Sequence, residues 1–282
     1  MLVWNLLFLG IVSAKMSGVK YSPSYNENCK TGADLQSDVD IIVGSSNAVL
    51  IDYFDICNVA ESIRKFTDKN LGIYLDIDAH TFFSIEYDEK KFEKFIDTNL
   101  FKSVKGISVS STSTADGNKQ LKNYSRKIKK LLLKKNKKTS VGIKEKITLS
   151  NNGYFPGYEG VASGFTRNKD SLDYMLLSVD ILGNSIDSSV FASKLFNETF
   201  VRMQDLKKPI YLEILPGTGK FSDKSFFDVL RELECRQSGT INYFVGDNFG
   251  SDSIFRKSKI YNKLENLSKN TFDCQGHEHI GN

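Results

Sequence analysis

The chain has 282 residues, of which 40% are hydrophobic, 12% aromatic and 26% charged, and its formal net charge is +4. This composition is ordinary for a globular domain with a sizeable core, and it excludes a disordered chain. The net charge is small for the length.

The N-terminus has the pattern of a secretory leader. An apolar run from Leu2 to Val12 ends in Val12-Ser13-Ala14, which places small residues where signal peptidase requires them. We therefore predict a signal peptide over residues 1–14, a mature chain over 15–282 and a secreted protein. No later stretch approaches the ~20 apolar residues of a transmembrane helix, so we expect no integral membrane association.

Short apolar runs rich in β-branched and aromatic residues alternate with helical patterns. The runs cover residues 19–21, 49–53, 72–77, 106–109, 140–143, 174–179, 210–213 and 241–245. The helical patterns cover residues 33–43, 58–68, 89–99, 120–133, 188–206 and 223–235. Such runs suit parallel strands buried on both faces. Eight of them predict an α/β fold of the closed (β/α)8 TIM-barrel type over residues 15–282. A doubly wound open sheet is the alternative, and the absence of a glycine-rich loop after the first strand disfavours it.

Two stretches stand apart from this alternation. Residues 127–138 are lysine-rich and could bind an anionic polymer or nucleic acid. We interpret them as the solvated face and end of a helix, and the secretory leader makes nucleic acid a poor partner. Residues 150–169 are rich in Gly, Asn and aromatics and predict a long loop near the barrel mouth.

The cysteine count indicates disulfides rather than a metal site. Cys29 and Cys57 follow adjacent strands, whereas Cys235 ends a helix and Cys274 lies in the terminal segment. We pair them in that order, out of three connectivities. With no Cys-x-x-Cys and only three histidines, we expect no metal and no cofactor. Sequons for N-glycosylation begin at Asn123, Asn197 and Asn266.

In a TIM barrel, chemistry lies at the C-terminal ends of the strands. Acidic residues at those ends are Asp52, Asp76, Asp78, Asp180, Glu213 and Asp247. A retaining glycosidase needs a carboxylic acid and a carboxylate nucleophile ~5 Å apart. Glu213 fits one of these roles, whereas the fourth strand ends in Ser110-Ser111-Thr112. The run that ends in Asp76-Ile77-Asp78 is superficially similar to a family 18 chitinase strand, but no Glu follows in register, so we interpret both as rim carboxylates.

Several motifs, in order along the chain, resemble fungal cell-wall β-1,3-glucanases and glucanosyltransferases of glycoside hydrolase family 17. They are the segments 18–23, 28–31 and 35–39 at the first strand and helix, 55–58 after the second strand, 208–217 at the seventh strand, 241–249 at the eighth and 272–274 near the end. The resemblance implies the barrel fold, a β-1,3-glucan or related wall polysaccharide as partner, and Glu213 as nucleophile. We assign substrate binding to Tyr21, Asp52, Asp76, Asp180, Asp247 and Phe249.

Departures from the family pattern predict weakened catalysis. Segment 104–112 aligns with the family's Val-x-Gly-x-x-Val-Gly-Asn-Glu, so Thr112 occupies the acid/base position, and a hydroxyl is no general acid near neutral pH. The family's basic residue on the second strand is here Ile51 or Asp52, and its sixth-strand platform reads Ser178-Val179-Asp180.

We therefore expect a glucan-associated protein at the cell wall with hydrolase activity reduced or lost. The alternatives are an active glucanase or glucanosyltransferase that uses Asp76 or Asp247 as acid/base, and a structural wall protein without sugar binding. The alternative to Glu213 as a retained nucleophile is a buried or rim carboxylate with a structural partner.

Overall fold

The computed structural model describes residues 18–25, 28–53, 57, 59–79, 86–110, 117–147, 172–181, 208–216 and 242–246. The strands there are β1 (Gly18–Tyr21), β2 (Ser24–Tyr25), β3 (Asn28–Cys29), β4 (Ala48–Asp52), β5 (Gly72–Asp78), β6 (Val104–Ser110), β7 (Ser140–Ile147), β8 (Tyr174–Ile181), β9 (Ile210–Pro216) and β10 (Asn242–Gly246). The α-helices are α1 (Gly32–Ser45), α2 (Val59–Asp68), α3 (Glu86–Ile96) and α4 (Gly117–Lys134), and a 3₁₀ turn covers Leu100–Ser103.

Eight parallel strands close into a barrel. Its order follows the chain from β1 through β4, β5, β6, β7, β8 and β9 to β10. Closure occurs at β1, where Val19 pairs with Val49 of β4 on one side and with Val245 of β10 on the other. The (β/α)8 barrel is therefore confirmed, and the open sheet is excluded because each of the eight strands pairs on both sides and the sheet has no edge strand.

Successive side chains of each barrel strand point alternately outwards, against the helices, and inwards, into the barrel. Outward side chains such as Val49, Leu75 and Val109 are fully buried together with the inner faces of α1, α2 and α3. Helix α1 begins with a capping box, in which Thr31 Oγ1 accepts the Asp34 N–H at 3.2 Å and Asp34 Oδ2 accepts the Thr31 N–H at 3.1 Å. This bonding explains why the helix begins directly after Thr31.

The predicted strands and helices that fall on described residues are all present, but several of their ends differ: the strand predicted over 140–143 continues to Ile147, and the helices predicted from 89 and 120 begin at Glu86 and Gly117. Helix α3 stops at Ile96 rather than continuing to Asn99, because the N–H groups of Asp97 and Thr98 bond to carbonyls three residues back, which tightens the last turn. The predicted helices over 188–206 and 223–235 and the loop over 150–169 lie outside the described residues. None of the described helices is both long and apolar enough to cross a membrane.

A disulfide joins the short β2–β3 hairpin to the segment after β4. Cys29 and Cys57 are bonded with their Cα atoms 5.3 Å apart, which confirms the first predicted pair. Beside it, Lys30 Nζ lies 3.1 Å from Asp38 Oδ2 of α1 and 4.4 Å from the centre of the Tyr21 ring. Cys235 and Cys274 lie outside the described residues, so their pairing stays a prediction.

Candidate functional site

Charged side chains from five barrel strands meet inside the barrel near the C-terminal ends of its strands. They are Lys20 of β1, Asp52 of β4, Asp76 of β5, Lys144 of β7 and Glu213 of β9. Neighbouring residues in a strand point to opposite faces, so the apolar partners of this set lie against the helices while the charges face inward. We call these five side chains the mouth cluster.

Glu213 is the most enclosed member of the mouth cluster. Its side chain has no exposed surface, and both of its oxygens contact ammonium groups. Lys144 Nζ lies 2.9 Å from Oε1 and 2.8 Å from Oε2, and Lys20 Nζ lies 3.2 Å from Oε1. Ser178 also hydrogen-bonds to the carboxylate. Glu213 is therefore a buried carboxylate held by two lysines.

The two aspartates share the same lysines. Asp52 Oδ1 lies 3.2 Å from Lys20 Nζ, and Asp76 Oδ2 accepts a hydrogen bond from Lys144 Nζ at 2.5 Å. Asp76 Oδ2 is also 3.7 Å from Lys20 Nζ, which links both halves of the cluster. Asp76 Oδ1 is buried and accepts no hydrogen bond from the described residues. That oxygen is an acceptor that a ligand hydroxyl could satisfy.

Opposite charges decide the protonation state of Glu213 and the lysines. Burial by itself raises the pKa of Glu213, but attraction to Lys144 and Lys20 outweighs it and lowers the pKa to about 2. Burial opposes the charge of both lysines, yet the carboxylates raise the pKa of Lys144 and bring that of Lys20 well above its usual value. Glu213 is thus an anion, and both lysines are cations, at neutral pH.

Asp52 behaves differently from Glu213. Burial raises its pKa to about 6, and although Lys20 opposes the shift, Asp76 and Glu213 add to it. Asp52 and Glu213, which both contact the Lys20 ammonium, therefore have widely separated pKa values. A separation of this kind is found between acid and base partners in enzymes.

An aromatic layer forms the floor under the mouth cluster. Tyr74, Tyr174, Tyr211 and Phe244 lie with ring centres 5.0–6.4 Å apart along their contacts. The Tyr174 hydroxyl lies 2.9 Å from Ser108 Oγ. Because this layer fills the barrel below the charges, any ligand must enter from the mouth side.

The structure places three predicted site residues in one cluster. Asp52, Asp76 and Glu213 all face the barrel interior. Asp180 lies near the end of β8, beside Leu215 of β9 in the register, and its side chain lies outside the described part. Thr112, Asp247 and Phe249 also lie outside the described residues.

Tyr21 is not placed for substrate binding. Its side chain is fully buried, and its ring packs edge-on against Phe66 of α2 with centres 5.2 Å apart. The assignment fails because Tyr21 is one residue beyond Lys20, and this step moves a side chain from the inner to the outer face of a strand. The site residue on β1 is Lys20.

Of the predicted glycosylation sites, Asn123 lies on α4 with an exposed side chain. Ser125 of the same sequon is buried and donates to the Leu121 carbonyl at 2.8 Å. Asn197 and Asn266 lie outside the described residues, so all three sequons stay predictions.

Sequence reasoning missed both lysines of the mouth cluster. Lys20 interrupts an apolar strand, and Lys144 follows Gly142 with the two-residue spacing of inward positions. That spacing was a usable signal, but lysines in strands generally face water. The predicted strand over 140–143 also stopped one residue before Lys144.

The mouth cluster has its carboxylates paired with ammonium groups. Within the described ranges, no group of three His, Cys, Asp or Glu side chains is arranged to hold a metal ion. Three carboxylates and two ammonium groups instead offer both acceptors and donors of hydrogen bonds to a polar ligand. The arrangement suits polar recognition in a confined site.

Comparisons with known proteins identify the fold. No family model and no curated protein matches the chain. Among solved structures, a β-glucuronidase from Faecalibacterium prausnitzii aligns with 92% of this chain at 12% identity and a TM-score of 0.57, and the chain spans 50% of that protein. A family 18 chitinase from Pseudoalteromonas aurantia aligns with 89% of this chain and 99% of its own, at 11% identity and a TM-score of 0.55.

A third match is a family 128 curdlan-specific exo-β-1,3-glucanase from Blastomyces gilchristii. It aligns with 92% of this chain and 99% of its own, at 10% identity and a TM-score of 0.54. At these identities the likeness shows the fold alone. The chain therefore has the (β/α)8 barrel fold that these glycoside hydrolases have, and its activity is a separate question.

Proposed function

We propose that this is a secreted, cell-wall protein that binds β-1,3-glucan or a related polysaccharide at the barrel mouth, with hydrolase activity reduced or lost. The observation that carries the proposal is the enclosure of Glu213 by Lys20 and Lys144. The resemblance to family 17 and the barrel shared with a β-1,3-glucanase support the substrate class.

The enclosure of Glu213 weakens it as a nucleophile. A glycosidase nucleophile must bring a free carboxylate oxygen to the sugar carbon, whereas both Glu213 oxygens lie 2.8–3.2 Å from ammonium groups. Ion pairs that stabilise the resting carboxylate must be weakened before it can attack. Interactions of this kind raise the barrier because they are stronger in the ground state than in the transition state.

The fourth barrel strand supports the same proposal. Its inward residues in the described part are Gly106, Ser108 and Ser110, none of which can donate a proton to a glycosidic oxygen near neutral pH. Thr112 then occupies the position at which the family 17 resemblance expects the acid. Loss of a general acid typically costs ~10²–10⁴-fold in rate.

Sugar binding does not require those catalytic groups. Asp52 and Lys20 retain partly exposed side chains at the mouth, and Asp76 offers a buried acceptor oxygen. Hydroxyl groups of a sugar can exchange hydrogen bonds with carboxylates and ammonium groups. The mouth can therefore hold a glycan that it cleaves slowly.

A second candidate function is an active glycoside hydrolase in which Asp52 is the acid and Glu213 the nucleophile. The specific observation is that the pKa of Asp52 is raised to about 6 while that of Glu213 is lowered to about 2. This pattern matches an acid paired with an ionised carboxylate.

One experiment separates these functions. Purified protein is incubated with a β-1,3-glucan oligosaccharide series, and calorimetry measures binding while mass spectrometry measures products. We expect binding with little or no product, and unchanged binding in Asp68→Asn, an exposed control on α2. Rapid cleavage that Asp52→Asn and Glu213→Gln both abolish would establish the active enzyme. Absence of binding and cleavage would leave a structural wall protein.

A further inference from the structure

The positive charge of the chain is concentrated in α4 and the turn after it. Residues 117–138 contain nine lysines, one arginine and no acidic residue, which is a net charge of +10. Because the whole chain carries +4, the other residues together carry −6. The small overall charge therefore combines one strongly basic segment with an acidic remainder.

Helix α4 aligns three of these lysines on its outer face. Lys127, Lys130 and Lys134 are three and four residues apart, so they stand above one another, and all three are exposed. The opposite face is buried against the barrel through Leu121, Ser125, Ile128 and Leu132. The lysines therefore point away from the core.

The turn after α4 carries the positive surface to the N-terminal end of the barrel. Thr139 Oγ1 donates to the Val104 carbonyl at 3.3 Å, and Ser140 pairs with Gly106, so Lys105 and Lys138 both lie near the N-terminal ends of β6 and β7. Lys102 lies in the adjoining 3₁₀ turn. The exposed side chains of Lys102, Lys105, Lys127, Lys130, Lys134 and Lys138 are here called the lysine face.

Two acidic groups near α4 pair with lysines outside the lysine face. Asp97 Oδ2 lies 2.6 Å from Lys135 Nζ, and Asp173 pairs with Lys129. Neither lysine belongs to the lysine face. Like charges three and four residues apart weaken a helix. The stripe on α4 thus carries a structural cost that a bound polyanion would offset.

We propose that the lysine face binds an acidic polysaccharide, a sugar chain that carries sulfate or carboxylate groups, independently of the barrel mouth. A linear polyanion complements a stripe of aligned cations. A lipid surface fits less well, because α4 buries its apolar face in the core, and Leu133 is the exposed large hydrophobic residue of the described part at 63% exposure. Secretion, which we expect from the leader, disfavours nucleic acid.

The proposal is tested with heparin as the acidic polysaccharide. Wild-type protein, the triple variant Lys127→Gln/Lys130→Gln/Lys134→Gln and the control Arg64→Gln/Lys69→Gln/Lys90→Gln are titrated at several salt concentrations. The control removes three exposed positive charges from α2, the turn after it and α3. We expect the α4 variant to bind at least about tenfold more weakly and to lose about 3 units of salt slope, because each lost lysine contact releases one counterion fewer. The control should bind like wild type.

Three outcomes would overturn the proposal: equal heparin binding by both triple variants, no heparin binding by wild type, or binding to phosphatidylserine vesicles in its place. Circular dichroism establishes that all three proteins fold. β-1,3-Glucan binding is measured in parallel and should be equal in wild type and the α4 variant. Its loss in every protein would count against the barrel-mouth function, while the heparin result would still decide the role of α4.

Discussion

The ammonium of Lys144 lies 2.9 Å from Oε1 and 2.8 Å from Oε2 of Glu213, so one lysine of the fifth barrel strand contacts both oxygens of a carboxylate on the seventh. Both side chains are buried or nearly so. The pair therefore links two strands of the barrel and also restrains the Glu213 carboxylate. Removing one partner leaves an uncompensated charge in the interior.

Lys144→Met should destabilise the protein strongly. Breaking a buried ion pair by removing one partner typically costs ~3–5 kcal/mol, and we expect about 3 kcal/mol because Lys20 still contacts Glu213. Urea denaturation measures the change. The double variant Lys144→Met/Glu213→Leu should recover part of the loss, because Asp76 then keeps only Lys20, at 3.7 Å, and exposed Lys138→Met should change stability little. A Lys144→Met protein as stable as wild type would contradict the structural role of the pair.

Stability should depend on pH through Asp52 and Glu213 in opposite directions. The folded pKa of Asp52, about 6, exceeds its ordinary value of 3.8, so its contribution is full below pH 4 and is lost as pH rises through 6. The folded pKa of Glu213, about 2, is below its ordinary 4.5, so its contribution is full above pH 4.5 and is lost as pH falls towards 2. Together, these two titrations predict that the free energy of unfolding is greatest near pH 4–5.

Asp52→Asn separates the two titrations. The variant should lose the fall in stability between pH 4 and 6 but keep the fall below pH 4.5, because Glu213 is unchanged. Thermal unfolding followed from pH 2 to 8 measures both slopes, with exposed Asp68→Asn as the matched control. An Asp52→Asn curve that runs parallel to wild type from pH 4 to 6 would refute the assignment.

Gly142→Ala should disrupt the aromatic floor, whereas Gly72→Ala should not. A Cβ at Gly142 would lie 2.5 Å from Tyr174 Cε2 and 2.7 Å from the Tyr174 carbonyl oxygen, while at Gly72 the nearest atoms are 3.7 Å away. We expect a loss of about 1–3 kcal/mol for Gly142→Ala, a typical cost of overpacking. Chemical denaturation compares the two. Equal stability of both variants would show that the floor is loosely packed.

Thr112→Glu should raise glucan hydrolysis if Glu213 is correctly placed. A restored general acid contributes ~10²–10⁴-fold, although the lysines around Glu213 limit the gain. Product release from β-1,3-glucan oligosaccharides measures the rate, and Ser111→Glu is the neighbouring control. Wild-type hydrolysis that is robust and survives Glu213→Gln would move catalysis to another carboxylate pair.

The order of strands and helices could be predicted from the sequence because it depends on local patterns of apolar residues. The apolar runs around Val49, Leu75 and Leu177 predict strands buried on both faces, and each lies in a barrel strand. Glu213 was also recognisable as a candidate site residue, because it is the one charged residue in the apolar strand Ile210–Pro216. Cys29 and Cys57 were paired correctly because the strands before them are neighbours in any barrel.

What the sequence alone determined is therefore the barrel, the helices on its outside and the strand ends where charge gathers. Only the tertiary structure decided what those charges do. Lys20 and Lys144 meet Glu213 across separations of 193 and 69 residues, because barrel closure turns distant strands towards one axis. Local periodicity indicates which face of a strand a side chain occupies, but not which charged group lies opposite it. A one-residue error in assigning these faces is the reason that Tyr21, a core residue, was predicted to bind substrate. The contacts of Lys20 and Lys144 with Glu213 result from barrel closure and strand register, and neither of these can be predicted from a short stretch of sequence.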